Sequence, residues 1–508
     1  MRELGIFTDG TICAPATIPG TGAISIIRVS GEGSLAIADK VIDVKGESLS
    51  ETEGYRLRYG TIFADDGSVL DNVIVSVFRA PHSYTGENSV EISCHASRFI
   101  VNAVLELLVN AGARIAAPGE FTRRAFVNGK MDLAQAEAVA DVIASQSAAS
   151  HKVAMNQLKG GFSSELRVLR EKLLTMTSLL ELELDFSEED VEFASRSELG
   201  ALVEETLAHI VRLTDSFSRG NAIKNGVPVA IVGATNTGKS TLLNALLGEE
   251  RAIVSDIAGT TRDTIEETLN LGGVMFRFID TAGIRETDEV VEIIGIERTF
   301  RKLNEASIVL GMTDLSRGED SVLADAEYIW GKVNASSSDR EFVLLVNKCD
   351  VDGIESVAAG YEAGYAGTGS RAGYVETGSE AGCADKAGKM ARIEAALREK
   401  GIVTKMIPIS AKTGSGLPEL TETLAEIGRR ITGDTDEPLV TNIRHYEALS
   451  RAATALRRVQ DGLQVATLPP DLIAQDLREA LYHLGEIVGE ISTDEVLGNI
   501  FRKFCIGK

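Results

Sequence analysis

The residues with the clearest chemistry lie at 233–241, where Gly233 to Thr241 spell GxxxxGKST between the apolar run Val229 to Val232 and leucines at 242, 243, 246 and 247. That order of strand, glycine loop and helix start is what a bound triphosphate requires. Successive backbone N–H groups and the positive end of a helix surround the phosphates. Lys239 reaches the outer phosphates, and the Ser240 hydroxyl can ligate magnesium. Asn236, Thr237, Gly238 and Thr241 complete the loop.

Three later segments decide the base. FRFIDTAG at 276–283 closes an apolar strand with Asp280, which can hold magnesium through water. Thr281 and Ala282 then lead to Gly283, whose N–H can face a γ-phosphate. FVLLVNKCD at 342–350 ends a second buried strand with NKxD. The Asp350 carboxylate can accept two parallel hydrogen bonds from guanine N1–H and N2–H2, a pair that adenine lacks. Asn347 can meet the major-groove edge of the base, Lys348 can pack along it, and Ser410, Ala411 and Lys412 can close the pocket. In the order GATNTGKST, AGTTRD, DTAG, NKCD, SAK, these motifs resemble the guanine-nucleotide signature of translation-factor-type GTPases. The resemblance has one departure. Ile284 stands where Ras-type enzymes carry the glutamine that orients the attacking water. A carboxylate from Glu286, Asp288, Glu289 or Glu292 is the obvious substitute.

These motifs must be positioned by a chain of 508 residues, too long for one nucleotide-binding domain. The expected organisation is an α/β domain at 1–130, helices at 131–226, a Ras-like domain at 227–436 and more helices at 437–508. The two helical stretches form either one domain interrupted by the Ras-like insert or two small bundles. The net charge is −24, with only 12 basic against 15 acidic residues in 1–130 and 8 against 10 in 437–508, so most of the excess lies in the middle. Such a charge argues against nonspecific nucleic-acid binding by the chain as a whole. The five cysteines, 13, 94, 349, 383 and 505, form no CxxC pair, which points away from a disulfide framework or zinc site and towards a reducing compartment. No apolar run has spanning length and the N-terminus lacks a signal-peptide pattern, so a soluble cytoplasmic protein is expected. Strand-like runs are AISIIRV, YRLRYGTIF, NVIVSVFRA and SVEISCH. A helix fits Arg98 to Asn110, closed by Gly112. Asp132 with Gln135 reads as a capping box. Residues 354–390 contain a nine-residue tandem and few large apolar side chains, and are expected to be a flexible insertion.

TGAISIIRVSG, SYTGENSVEISCH, APGEFTRRAFVNGKMDLAQAEAVADVI, the P-loop and the terminal CIGK together resemble the tRNA modification GTPase MnmE (TrmE) family over nearly the whole chain. The resemblance implies a multidomain α/β plus α fold. Its parts are a folate-binding-like N-terminal domain, a discontinuous helical domain and an inserted Ras-like P-loop GTPase domain. It implies a homodimer acting with a flavoprotein partner, MnmG, in a heterotetramer on the wobble uridine of certain tRNAs. An aminomethyl or carboxymethylaminomethyl group is added at C5, with 5-formyl-tetrahydrofolate or a related tetrahydrofolate as cofactor. Folate contacts fall on Arg28, Glu87, Lys130 and Lys508. Magnesium falls to Ser240 and Thr261, and potassium to Asn236, Ser255, Ile257 and Thr260. Asp256, Ala258 and Gly259 belong to the same nucleotide loop. Glu292 becomes the water-orienting carboxylate and Cys505 the essential C-terminal cysteine, whether as nucleophile, acid or gate. A ribosome-assembly switch of the Era or Der type shares the nucleotide motifs and is the alternative.

Overall fold

The computed structural model describes residues 10–185, 196–250, 267–279, 306–334, 340–350, 380–402, 404–433, 437–464, 469–491, 494–502, 504 and 507. The chain divides into two compact units, Met1–Ala144 with Val153–Asp215 and Asn442–Lys508, and Ser145–Lys152 with Ser216–Thr441. No helix among the described residues is long and apolar enough to cross a membrane.

In the first unit, strands β1 (Ile12–Pro15), β2 (Ile24–Ser30), β3 (Ile42–Val44), β4 (Arg56–Phe63), β5 (Val69–Phe78), β6 (Ser89–His95) and β7 (Arg114–Ile115) form one sheet, in the order β3-β4-β5-β6-β2-β1-β7. The period of two sorts its faces. Ile27, Val29, Val73, Val75, Val77, Val90 and Ile92 are buried with Leu35, Val104 and Leu108 of the helices Ser34–Val41 and Arg98–Asn110. Arg28 and Glu91 pair across β2 and β6 at positions between those core residues, so they share the opposite face. The same alternation buries Cys94 and exposes His95. Burial pushes the Cys13 and Cys94 thiols up to about 11, so neither is a ready nucleophile.

The helices of this unit come from both ends of the chain. Ile443–Gln464 packs on Pro470–Val488 and on Arg196–Asp215, and Pro470–Val488 packs on Gly161–Asp185. Leu166, Leu169, Leu173 and Leu180 face inward at helical spacing. The helix Leu133–Ala144 opens with the reciprocal box read from sequence, in which Asp132 N–H donates to Gln135 Oε1 at 3.0 Å and Gln135 N–H donates to Asp132 Oδ1 at 2.8 Å.

The second unit contains β8 (Val227–Gly233), β9 (Glu267–Leu271), β10 (Val274–Ile279), β11 (Ile308–Asp314), β12 (Glu341–Asn347) and β13 (Lys405–Pro408), ordered β13-β12-β11-β8-β10-β9. All neighbours are parallel except β9 with β10. Apolar clusters cover both faces, which is why β8 and β11 read as continuous apolar runs. Residues 380–390, expected to lie in a flexible insertion, belong to the helix Glu380–Glu399. Alanine favours helix, and Ile393 and Leu397 anchor the segment in the core. The rest of that stretch, 354–379, lies outside the described residues.

Candidate functional site

The C-terminal ends of β8, β11 and β12 lie side by side, with Gly233 level with Met312 and Asp314 level with Asn347. Ligands of open α/β sheets bind at such strand ends. Close approach explains two glycines of the loop. A Cβ on Gly233 would lie 2.3 Å from the Met312 carbonyl oxygen, and one on Gly238 would lie 2.5 Å from Asn347 Nδ2. Gly238 also has φ +100°, and Asn236 takes a left-handed φ of +60°. Thr237 is buried, its hydroxyl donating to the Ala234 carbonyl at 2.9 Å. Lys239 opens the helix Lys239–Glu250 and donates to the carbonyls of Gly233 and Ala234 at 2.9 and 2.8 Å. Burial lowers its pKa. Its ammonium is thus held across the mouth of the loop, where it can turn to phosphate oxygens. Ser240 and Thr241 follow in the first turn.

The NKCD segment is tied to this loop. Asn347 Nδ2 donates to the Thr237 carbonyl at 2.7 Å, and its Oδ1 accepts from the Ala411 N–H at 3.0 Å. One side chain therefore braces the phosphate loop, NKCD and SAK together, which leaves it less free for the base than sequence reasoning supposed. The Ser410 hydroxyl donates to Asp350 Oδ1 at 2.8 Å and fixes that carboxylate. Lys412 is exposed at the rim. β10 ends at Ile279, paired with Ala230 of the phosphate-loop strand. Asp280, Thr281, Ala282, Gly283, Glu292 and the run Ser255, Asp256, Ile257, Ala258, Gly259, Thr260 and Thr261 lie outside the described residues.

A second polar constellation sits on the outer face of the first unit's sheet, around the loop at 81–88. Arg28 bonds Glu91 at 2.8 Å and lies 5.1 Å from the Tyr84 ring centre and 5.6 Å from that of Phe121. Glu87 accepts from the Ser30 hydroxyl at 2.9 Å and from Arg124 at 3.0 Å. Arg124 also donates to Glu120 at 3.2 Å. Burial pushes the Glu120 carboxyl up, but bonds from Arg114 and the Ala117 N–H together with the Arg124 charge outweigh it and leave it at about 2. Lys130 donates to the Pro81 carbonyl at 3.0 Å, and Asn128 to that of Thr85 at 2.7 Å. One loop thus gathers Arg28, Glu87 and Lys130. Tyr84, Phe121, Glu91 and Arg124 were not singled out as members of this site from sequence, although Tyr84 lies inside SYTGEN. Glu91 joins only through strand pairing.

The C-terminal tail reaches the same unit's sheet. Phe501 and Phe504 bury against Phe126 and Leu133, while Val496 stays exposed. Gly507 has φ +97°, and a Cβ there would lie 2.0 Å from the carbonyl oxygen of Pro15, which pairs with Ile27 next to Arg28. Cys505 and Lys508 lie outside the described residues.

A mostly parallel sheet carrying a glycine loop of the GxxxxGKST pattern, with a braced NKxD segment beside it, defines a P-loop protein. A family model described as the MnmE helical domain matches residues 133–505, and one described as the GTP-binding protein TrmE N-terminus matches residues 11–130. The chain is 49% identical over 501 residues to the tRNA modification GTPase MnmE of Parabacteroides distasonis, covering 98% of this chain and 100% of that protein. It is 49% identical to the one of Bacteroides thetaiotaomicron, over 98% of this chain and 99% of the relative, and 46% identical to that of Porphyromonas gingivalis, over 100% of both. The chain belongs to the tRNA modification GTPase MnmE family.

Proposed function

We propose that this chain is a GTP-hydrolysing enzyme of tRNA modification that acts, as a homodimer with the flavoprotein MnmG, on the wobble uridine of certain tRNAs. It adds an aminomethyl or carboxymethylaminomethyl group at C5, in the cytoplasm. What carries the reading is 49% identity to named tRNA modification GTPases along 98% of the chain. The match at both ends favours it over a ribosome-assembly switch.

In the second unit, the loop 233–241 binds the phosphates and Asp350, fixed by Ser410, selects guanine. Magnesium would be held by Ser240 and Thr261. Potassium would be held by Asn236, Ser255, Ile257 and Thr260, supplying positive charge beside the phosphates, and Glu292 orients the attacking water. In the first unit the residues fit a reduced folate. Tyr84 and the Arg28 guanidinium, which is backed by the buried Phe121 ring, offer flat surfaces to a pterin, and Glu87, anchored by Ser30 and Arg124, offers it a carboxylate acceptor. Lys130 and Lys508 offer cations. When bound, the folate supplies the one-carbon unit. Cys505 serves the modification and not GTP hydrolysis.

The test is nucleotide choice. The purified chain should hydrolyse GTP and leave ATP untouched, and Asp350→Asn should lose guanine preference because an amide cannot accept both base hydrogens. Equal hydrolysis of ATP and GTP by the parent chain contradicts the reading.

A further inference from the structure

We propose that Asp314 is a positioning residue for the nucleotide base, holding Lys348 by an ion pair so that the lysine stem lies along a bound guanine. The inference rests on the guanine-nucleotide reading and extends it to a residue outside the nucleotide motifs. Asp314 is the last residue of β11, level with Asn347 on β12. Its carboxylate is nearly buried, and Oδ2 meets Lys348 Nζ at 2.6 Å. A buried carboxylate is costly unless paired, so the site is organised around this contact. The other oxygen has separate work, accepting from the Ser316 N–H at 3.0 Å and its hydroxyl at 2.6 Å. One oxygen caps the turn at Leu315–Arg317 while the other tethers the lysine. Burial opposes ionisation of Asp314, yet the bonds from Lys348 and Ser316 outweigh it and keep its pKa below the ordinary value.

Lys348 needs a tether. Its backbone has φ +64°, a left-handed conformation that a long side chain adopts only where its surroundings hold it. Asn347 is fixed on one side by Thr237 and Ala411, and the Cys349 N–H on the other donates to the Ile409 carbonyl at 3.2 Å. The backbone is thereby set, but these bonds leave the lysine side chain free to swing. The Asp314 pair removes that freedom before the base arrives, which is preorganisation and strengthens binding.

The experiment uses the full chain and a fluorescent GDP analogue, comparing the parent with Asp314→Asn, Lys348→Met and the double variant. Asp314→Asn keeps the shape and the capping oxygen while losing the charge. It should bind the analogue about tenfold more weakly and release it faster, and KM for GTP should rise by a larger factor than kcat falls. The nucleotide-free melting temperature should move by less than about 2 °C. The double variant should bind within about twofold of Lys348→Met alone, because the two residues act as one unit. Parent-like affinity in Asp314→Asn, or losses that multiply in the double variant, overturns the inference. A parent chain that binds no guanine nucleotide overturns the underlying reading and this inference with it.

Discussion

Replacing Glu137 by Gln should loosen the first unit by about 3 kcal/mol, because this buried carboxylate joins helices from opposite ends of the chain. Glu137 lies on the helix Leu133–Ala144 and is 8% exposed, while His445 on Ile443–Gln464 is 1% exposed. Arg444 grips Glu137 with both arms at 3.0 and 2.9 Å, and His445 Nε2 lies 2.7 Å from it. Arg444 also donates to the Glu486 and Ile487 carbonyls at 2.7 and 3.1 Å, tying in the end of a third helix. Burial pushes the Glu137 pKa up, but the charges and bonds of His445 and Arg444 outweigh it and bring it from 4.5 to about 2. At 1.36 kcal/mol per unit, that shift alone is about 3 kcal/mol. The folded value is the lower one, so this stability is present above about pH 4.5 and is lost as pH falls towards 2. Calorimetry with and without GDP separates the units, since nucleotide should raise only the melting of the unit that binds it. In Glu137→Gln the GDP-insensitive transition should fall by roughly 6 to 12 °C at pH 7, and the gap to the parent should shrink by more than half by about pH 3. A fall of less than about 2 °C, or a gap unchanged down to pH 3, refutes the reasoning.

Turnover should be faster in potassium than in sodium at matched ionic strength, and equal rates would leave Asn236 as a turn residue only. Glu292→Ala should lower turnover by roughly 10²- to 10⁴-fold with GTP affinity near normal, and a parent-like rate would pass the water-orienting role to the 286–289 stretch. Gly507→Ala, whose Cβ would lie 2.0 Å from the Pro15 oxygen, should unseat the tail. Faster hydrogen exchange at 494–502 would report it, and unchanged protection would contradict the packing. Cys505→Ser should abolish wobble modification while GTP turnover persists, and normal modification in that variant would make the thiol structural.

Local chemistry was the legible part of this chain. The Asp132–Gln135 box acts over a few residues, so its side chains and backbone partners could be named from sequence, and the order of strand, glycine loop and helix start around 233–241 was legible in the same way. The helix Arg98–Asn110 was readable for the same reason. Partners far apart in the chain were not. The Arg28–Glu91 pair depends on the register of β2 with β6, and Glu137 and Arg444 are 307 residues apart in the chain. The short strands Ile12–Pro15, Ile42–Val44 and Arg114–Ile115 carry too few residues to show a period of two. At 380–390 a small-residue composition read as flexible is helical, because alanine lacks bulk but favours helix.

The most direct test of the account is mass spectrometry of wobble uridines in tRNA from cells lacking this gene, complemented with the parent chain or with Lys239→Ala. The account predicts that C5-modified uridine disappears in the deletion, returns with the parent chain and stays absent with Lys239→Ala. Undiminished modified uridine in the deletion strain would contradict it.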